Sequence, residues 1–343
     1  MNCIRLVALS VAMYATVASS PPAFAETKKA VSISVMTYNV NGLPWPLASR
    51  RTGAFGQIES RLRRMRASGR QPHVVVLQEA FTAPAKQIAA NSGYRFIASG
   101  PTRDMRSIVR PISSDHAFVQ KASLSKGEMS GKYLDSGLQI ASDYPIVSVT
   151  RAAFPAYACA GYDCLANKGV MLVTIKVPGN VQPITIATTH MNSKRASGVS
   201  QTRSLYAYQR QVDFINGFIA KHRDPRLTII FAGDFNASNV QRRNYLFGRG
   251  TASWAIQAAN PVQSALDRCL QSTPPCTGKI PPIASFIRER ARDWQFYIPG
   301  VTGSIAAVGV TVPFGLERTG KMMSDHVGYG ITYQLGVNRF ASQ

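Results

Sequence analysis

Thr228-Ile229-Ile230-Phe231-Ala232-Gly233-Asp234-Phe235-Asn236-Ala237 is the stretch that decides the fold. Its first half is an apolar, β-branched run. Its second half turns polar, with an Asp and an Asn two residues apart. Residues two apart on a strand face the same side. The stretch therefore reads as a buried strand that delivers a carboxylate and an amide to its mouth. A type I turn would use the same two residues, so the reading needs company.

Three further motifs supply it. Val31 to Met36 runs into Met36-Thr37-Tyr38-Asn39-Val40-Asn41-Gly42. Val74 to Leu77 runs into Leu77-Gln78-Glu79-Ala80-Phe81. Ser324-Asp325-His326 precedes the strand-like run Val327 to Leu335. A carboxylate at the end of a buried strand is costly unless it is paired or bound to a metal. An amide, a carboxylate, an Asp/Asn pair and an Asp/His pair at one sheet edge could hold a hard cation and activate water against a phosphate. His190 ends a further run, Thr185-Ile186-Ala187-Thr188-Thr189. Because the motifs stretch from Asn39 to His326 and must meet, residues 26–343 are expected to form a single catalytic domain.

The chain begins with Arg5, an apolar stretch from Leu6 to Val17 and small residues ending Ala23-Phe24-Ala25. This is the order of a cleaved signal peptide over residues 1–25. The apolar stretch is short for a bilayer span of about 20 residues. A secreted or periplasmic mature protein is expected. The formal charge is +22, of which the leader carries only Arg5. Such a field attracts nucleic acid, anionic lipid surfaces and other polyanions, and does not choose among them. Cys159 lies near Cys164 and Cys269 near Cys276. Two local disulfides are the simplest of three connectivities in an oxidising compartment. A zinc site is the other use of four cysteines, but no His stands at ligand spacing.

Helical spacing of Phe55, Ile58, Leu62 and Met65 predicts a helix up to Gly69. A second runs from Gln201 to His222, with Leu205, Tyr208, Val212, Ile215 and Ile219 as its stripe. A shorter one covers Ala83 to Asn91. Strands are expected at Gly137 to Ala141, Ile146 to Thr150, Gly169 to Val177, Ile184 to Thr189 and Trp294 to Ile298. Apolar runs that do not alternate suggest sheets buried under helices, an α/β fold with two packed sheets and helices outside. Periodicity alone does not exclude one doubly wound sheet.

Taken in order, Tyr38-Asn39-Val40, Gln78-Glu79, Thr189-His190, Gly233-Asp234-Phe235-Asn236 and Ser324-Asp325-His326 resemble the endonuclease/exonuclease/phosphatase superfamily of metal-dependent phosphoesterases. Arg292-Asp293-Trp294-Gln295-Phe296 looks like that family's Asp-Tyr-Ile-Phe segment, with Trp and Gln in place of Tyr and Ile. Gly137-Leu138-Gln139-Ile140 followed by Asp143-Tyr144-Pro145-Ile146 resembles its central hairpin. The resemblance implies a four-layer α/β sandwich of the DNase I-like kind, two packed central sheets flanked by helices. It implies that Glu79 binds Mg2+, or another divalent cation such as Mn2+, with Asn39 beside it. Asp234 and Asn236 would position the attacking water and a phosphate oxygen. His326 would be the general base, oriented by Asp293. His190 would donate to a phosphoryl oxygen or the leaving group, with Asp135 to orient it. Asp325 would belong to the metal-water network.

Cys159-Ala160-Gly161-Tyr162-Asp163-Cys164 with Asn167-Lys168-Gly169 looks like a segment of secreted bacterial sphingomyelinases. Lys168 could meet a lipid phosphate as a point charge. The expected activity is therefore a secreted phosphodiesterase of phospholipase C type, acting on sphingomyelin or a related phospholipid. The alternative is a secreted DNase I-like endonuclease, favoured by the charge. A phosphomonoesterase or a non-catalytic binding protein stands behind both. The substrate partner would be a phospholipid membrane surface or nucleic acid, and a monomer without an obligate protein partner is expected. Secreted sphingomyelinases carry an aromatic-tipped hairpin that enters the membrane. The candidates here are Phe154-Pro155-Ala156-Tyr157 and Ile280 to Phe286.

Overall fold

A computed structural model describes residues 31–337 apart from 46, 50, 250–253, 256–262, 274–275, 278–286, 288–291 and 318–319. The expected leader at 1–25 and the membrane-loop candidate at 280–286 lie outside the described residues. In chain order the elements are β1 (Val31–Asn39), α1 (Arg51–Ala67), β2 (Val74–Gln78), α2 (Ala83–Asn91), β3 (Phe96–Ser99), α3 (Ser113–Gln120), β4 (Gln139–Ser142), β5 (Ile146–Ala153), β6 (Gly169–Ile175) and β7 (Ile184–Thr189). They continue with α4 (Gln201–His222), β8 (Ile229–Asp234), α5 (Val240–Gly248), α6 (Ala265–Gln271), β9 (Asp293–Ile298), β10 (Gly303–Phe314) and β11 (Gly328–Val337). Short 3-10 turns cover Leu124–Lys126 and Gly161–Leu165.

The strands form two mixed sheets. One has the order β10-β11-β1-β2-β4-β3, the other β5-β6-β7-β8-β9. The period of two along each central strand sorts its side chains between two cores. Ile33, Val35, Val74, Val76 and Ile140 face inward and meet Met171, Val173, Ile186 and Ile230 of the second sheet. The alternate residues Met36, Tyr38, Val75 and Leu77 face outward onto Phe55, Ile58 and Leu62 of α1 and Ile88 of α2. On the far side, Val170, Leu172 and Phe231 face Tyr208, Val212, Ile215 and Ile219 of α4. Helix, sheet, sheet, helix is the four-layer order. It explains why β2 is apolar without alternation: both of its faces are buried.

The stripe of α4 is what holds it. Each of its fully buried large apolar side chains stabilises by about 1.5–3 kcal/mol. The Ser200 hydroxyl caps its first turn by accepting from the Arg203 N–H at 3.3 Å, and Lys221 and His222 sit in its last turn. Among the described residues, no helix is long and apolar enough to cross a membrane.

Strand direction positions everything that follows. β1 pairs with β2, and β7 with β8, in parallel. The last residues of these four strands therefore share one end of the sandwich. β9 and β11 run antiparallel to their neighbours β8 and β1, so they begin at that same end. Both cysteine pairs form disulfides, Cys159–Cys164 and Cys269–Cys276.

Candidate active site

The polar residues that end or begin these strands converge. Asn39 closes β1, and its Nδ2 donates to Glu79 Oε1 at 3.0 Å and to Asp234 Oδ2 at 3.1 Å. The two sheets are thus joined at this end by one amide. His190 follows β7, with its Nε2 3.5 Å from Asp234 Oδ2 and 3.8 Å from Glu79 Oε1. Asp293 opens β9 directly opposite Asp234 in the strand register. His326, just before β11, holds Asp293 Oδ2 through Nδ1 at 2.7 Å, while its Nε2 lies 3.8 Å from Asp234 Oδ2. Asn236 Nδ2 donates to the Met191 carbonyl at 3.0 Å, and its backbone N–H donates to Asp234 Oδ1 at 2.9 Å.

Lys168 lies at the floor of the cavity that these residues line. It is buried, paired with Asp163, 3.2 Å from His190 Nε2 and 3.1 Å from the Met191 carbonyl it donates to. Asp325 is exposed at the mouth. Asp135 is a correction. It pairs with Lys86 at 2.6 Å and accepts from the Arg103 N–H at 2.9 Å, so it does not reach His190. His190 Nδ1 is a buried atom with no protein partner among the described residues. Phe154 and Tyr157 are a second correction: both are buried against the core beside α4, so they offer no membrane-entering tip.

Backbone strain concentrates here. The non-glycine residues with positive φ among those described are Asn41 (49°), Glu79 (57°) and Asn236 (46°). Asn tolerates this region; Glu does so only where its surroundings force it. The force is visible. Gly42 N–H donates to the Glu79 carbonyl at 3.0 Å, and a Cβ on Gly42 would lie 2.2 Å from that oxygen. Two loops are locked together at a spacing that only glycine permits.

Charge follows from burial. Burial pushes the Glu79 carboxyl above its ordinary value, and pushes Asp234 up to about 6, with the nearby Asp293 charge adding to it. Burial, reinforced by Lys168 and His326, holds His190 well below its ordinary value, so this ring is neutral at pH 7. Burial alone would lower His326 too. Asp293 and Asp234 more than offset it, and the ring is pushed up to about 10.

The site offers mostly oxygen. Asp234, Asp293 and His326 bring ligand atoms within 4.8 Å of one another. His326 Nδ1 already serves Asp293, which favours the carboxylates as ligands. Two raised carboxyls and a buried Asp293 Oδ1 without a partner among the described residues are the signature of a site short of positive charge. The Glu79 and Asp234 carboxylates fit a hard divalent cation, while Asn39 turns its NH2 to both of them and its Oδ1 accepts from the Asn41 N–H at 3.0 Å.

Three supporting residues were not assigned from sequence. Asp163 accepts from Ser193 N–H while pairing with Lys168. Arg51 donates to the carbonyls of Val40, Asn41 and Met323 at 2.8, 2.9 and 2.6 Å, stitching the loop after β1 to the segment before His326. Arg242, 1% exposed, donates to the carbonyls of Asn192 and Asn236. Only Asp163 left a signal: a carboxylate five residues before a lysine, next to a cysteine.

Known structures share this architecture at low identity. A double mutant of beta toxin from Staphylococcus aureus with bound magnesium ions is 16% identical, with a TM-score of 0.54 over 89% of this chain and 99% of the other. Sphingomyelinase C from Streptomyces griseocarneus is 22% identical, with a TM-score of 0.50 over 89% and 99%. Danio rerio TDP2 complexed with a single-strand DNA product is 14% identical, with a TM-score of 0.53 over 88% and 98%. At these identities the likeness establishes the fold. No curated protein matches the sequence. The sequence profile of the Endonuclease/Exonuclease/phosphatase family matches residues 36–326, from the end of β1 to the histidine before β11. Across that span, which contains every residue of the converging centre, the chain belongs to the Endonuclease/Exonuclease/phosphatase family.

Proposed function

We propose that this protein is a divalent-cation-dependent phosphodiesterase of phospholipase C type, acting on sphingomyelin or a related phospholipid outside the cytoplasm. The observation that carries the reading is the mouth of the site. The cavity, about 490 Å³, is walled by Leu43, Pro44, Leu47, Phe81, Tyr133 and Tyr162 above its charged floor. Leu47 and Tyr133 are each 63% exposed, and Trp45 in the same loop is 81% exposed. A nuclease needs cations where the polyanion runs. Apart from the exposed Arg292 and Asp325, this rim is apolar and aromatic, which suits the boundary of a lipid surface. The high positive charge would bring such a rim to an anionic membrane.

The chemistry is a hydrolysis. The water oxygen bonds to phosphorus as the bond to the lipid alkoxide breaks. His326 takes the water proton, held in register by Asp293, the departing alkoxide takes a proton from solvent water, and His326 later returns its proton to solvent. Asp234 and Asn236 orient the water and a phosphate oxygen. Lys168 supplies fixed positive charge, with neutral His190 as a hydrogen-bonding partner beside it. Glu79, with Asn39 beside it, would hold the cation, magnesium being our assignment; it would supply Lewis-acid stabilisation of the phosphate and a positive potential that disfavours the protonated form of His326.

The two intramolecular disulfides support export. The charge of +22 keeps a nuclease as the second reading. Purified protein assayed on sphingomyelin vesicles and on plasmid DNA, each with Mg2+ and with EDTA, decides between them. Lipid turnover abolished by EDTA is expected. Cleavage of DNA alone would replace the first reading with the second.

A further inference from the structure

A second concavity, about 630 Å³, lies away from the catalytic mouth and shares no lining residue with it. Its walls come from three places: the outward face of α4, the edge strand β5, and residues 105–109 between β3 and α3. The floor is apolar. Phe214 and Phe218 stack at 6.2 Å, and Ile108 and Val109 stand 92% and 48% exposed above them. A volume of this size is that of a small-molecule site.

The rim has one sign of charge in excess. Arg210 is committed to Asp115 at 2.9 Å and Asp213 at 3.2 Å. Arg106, Arg151 and Lys221 are exposed at the rim. None of these three has a carboxylate within ion-pair distance among the described residues. Arg106 and Arg151 donate to backbone carbonyls of Arg103 and Ser99, which leaves their charge uncompensated. His222 packs on Phe218 at 4.6 Å and closes one end.

An apolar floor under unpaired cations selects an apolar body with an anionic end. We propose that this groove binds a long-chain fatty-acid anion, its chain along Phe214, Phe218, Ile108 and Val109, and its carboxylate among Arg106, Arg151 and Lys221. The proposal does not depend on the substrate of the catalytic site.

Gly217 makes the test clean. It lies on the exposed face of α4 inside the groove, and a Cβ there meets nothing within 4 Å. Gly217→Phe should fill the groove without disturbing packing, and loss of a mid-helix glycine favours the helix. Dodecanoate, below its micelle concentration, is titrated calorimetrically into wild type, Gly217→Phe and the double variant Arg106→Glu, Lys221→Glu. Dodecyltrimethylammonium serves as the control of opposite charge. Wild type should bind one equivalent of dodecanoate saturably. Gly217→Phe and the double variant should each weaken it by about tenfold or more, a change of about 1.4 kcal/mol. All three proteins should keep the same melting cooperativity and hydrolytic rate. Absence of saturable binding, equal affinity in Gly217→Phe, or equal binding of the cationic amphiphile would each overturn the proposal.

Discussion

Asp293→Asn isolates the electrostatics of His326, the proposed general base. The substitution keeps shape and one acceptor while removing the nearest negative charge, 2.7 Å from His326 Nδ1. At an effective dielectric of about 20, a unit pair at that distance attracts by about 6 kcal/mol, and Asp234 at 3.8 Å adds about 4. The rise of His326 from 6.5 to about 10 is worth on the order of 5 kcal/mol. Burial therefore opposes the two carboxylates by about 5 kcal/mol. Without Asp293, the remaining attraction and the burial cost nearly cancel, and the ring should return to a pKa near its ordinary value. The assay is an NMR pH titration of the His ring protons in EDTA, with His326→Ala assigning the resonance among five histidines. In wild type the His326 signal should stay that of imidazolium from pH 6 to 8.5. In Asp293→Asn it should titrate near neutrality. Turnover with Mg2+ should fall about 100- to 10,000-fold, because the amide can hold the wrong tautomer as readily as the right one. A wild-type ring that titrates near 6.5, or a variant with unchanged titration and rate, would refute the scheme.

Other outcomes follow from the same geometry. Glu79→Gln should remove the thermal stabilisation that millimolar Mg2+ gives wild type, about 2.7 kcal/mol at a hundredfold excess over Kd, and lower activity by orders of magnitude; an unchanged Mg2+-dependent melting shift would show that Glu79 is not a ligand. The raised pKa of His326 has a definite sign. Its stabilisation is fully present below about pH 6.5 and is lost as pH rises through about 10. Without divalent cations, the melting gap between wild type and His326→Ala should therefore be widest at pH 6 and close above pH 10; a gap that grows with pH contradicts the pairing. Asp163→Asn leaves the buried Lys168 without its counter-charge and should cost about 3–5 kcal/mol by urea unfolding; a loss below 1 kcal/mol would mean the pair is not buried in solution. Substituting Trp45 and Leu47 by Ser should raise KM on vesicles with little effect on a soluble short-chain phosphodiester; equal loss on both substrates would count against the docking rim.

Sequence reached the parts governed by local rules. The run Val74 to Leu77 had to be buried on both faces, and Glu79 therefore had to stand at a mouth. The stripe from Leu205 to Ile219 fixed α4. The site was legible because its residues cap strands, and the strand-end motifs are themselves the polar interruptions in apolar runs. What escaped depends on distance. β10 was missed: its Gly303-to-Phe314 run is broken by register shifts against β11, and it pairs through backbone rather than pattern. β3 has four residues at a sheet edge, too few for a period. The resemblance put Asp135 beside His190, but the folded chain pairs it with Lys86. Phe154 and Tyr157 looked like an exposed tip because apolar composition does not distinguish a membrane contact from a core. Arg51 binds a carbonyl 272 residues away, which no spacing could reveal. The positive φ of Glu79 is imposed by Gly42, a tertiary fact.

The Cys159–Cys164 bridge joins covalent history to catalysis. Asp163 and Tyr162 both lie inside its loop, one clamping Lys168, the other on the rim of the mouth. A chain kept reduced would retain every catalytic side chain yet lose the tether of the lysine's counter-ion and of one wall residue. The bridge thus couples the redox state of the chain to the placement of the buried lysine's counter-ion, far from any thiol chemistry in the site itself.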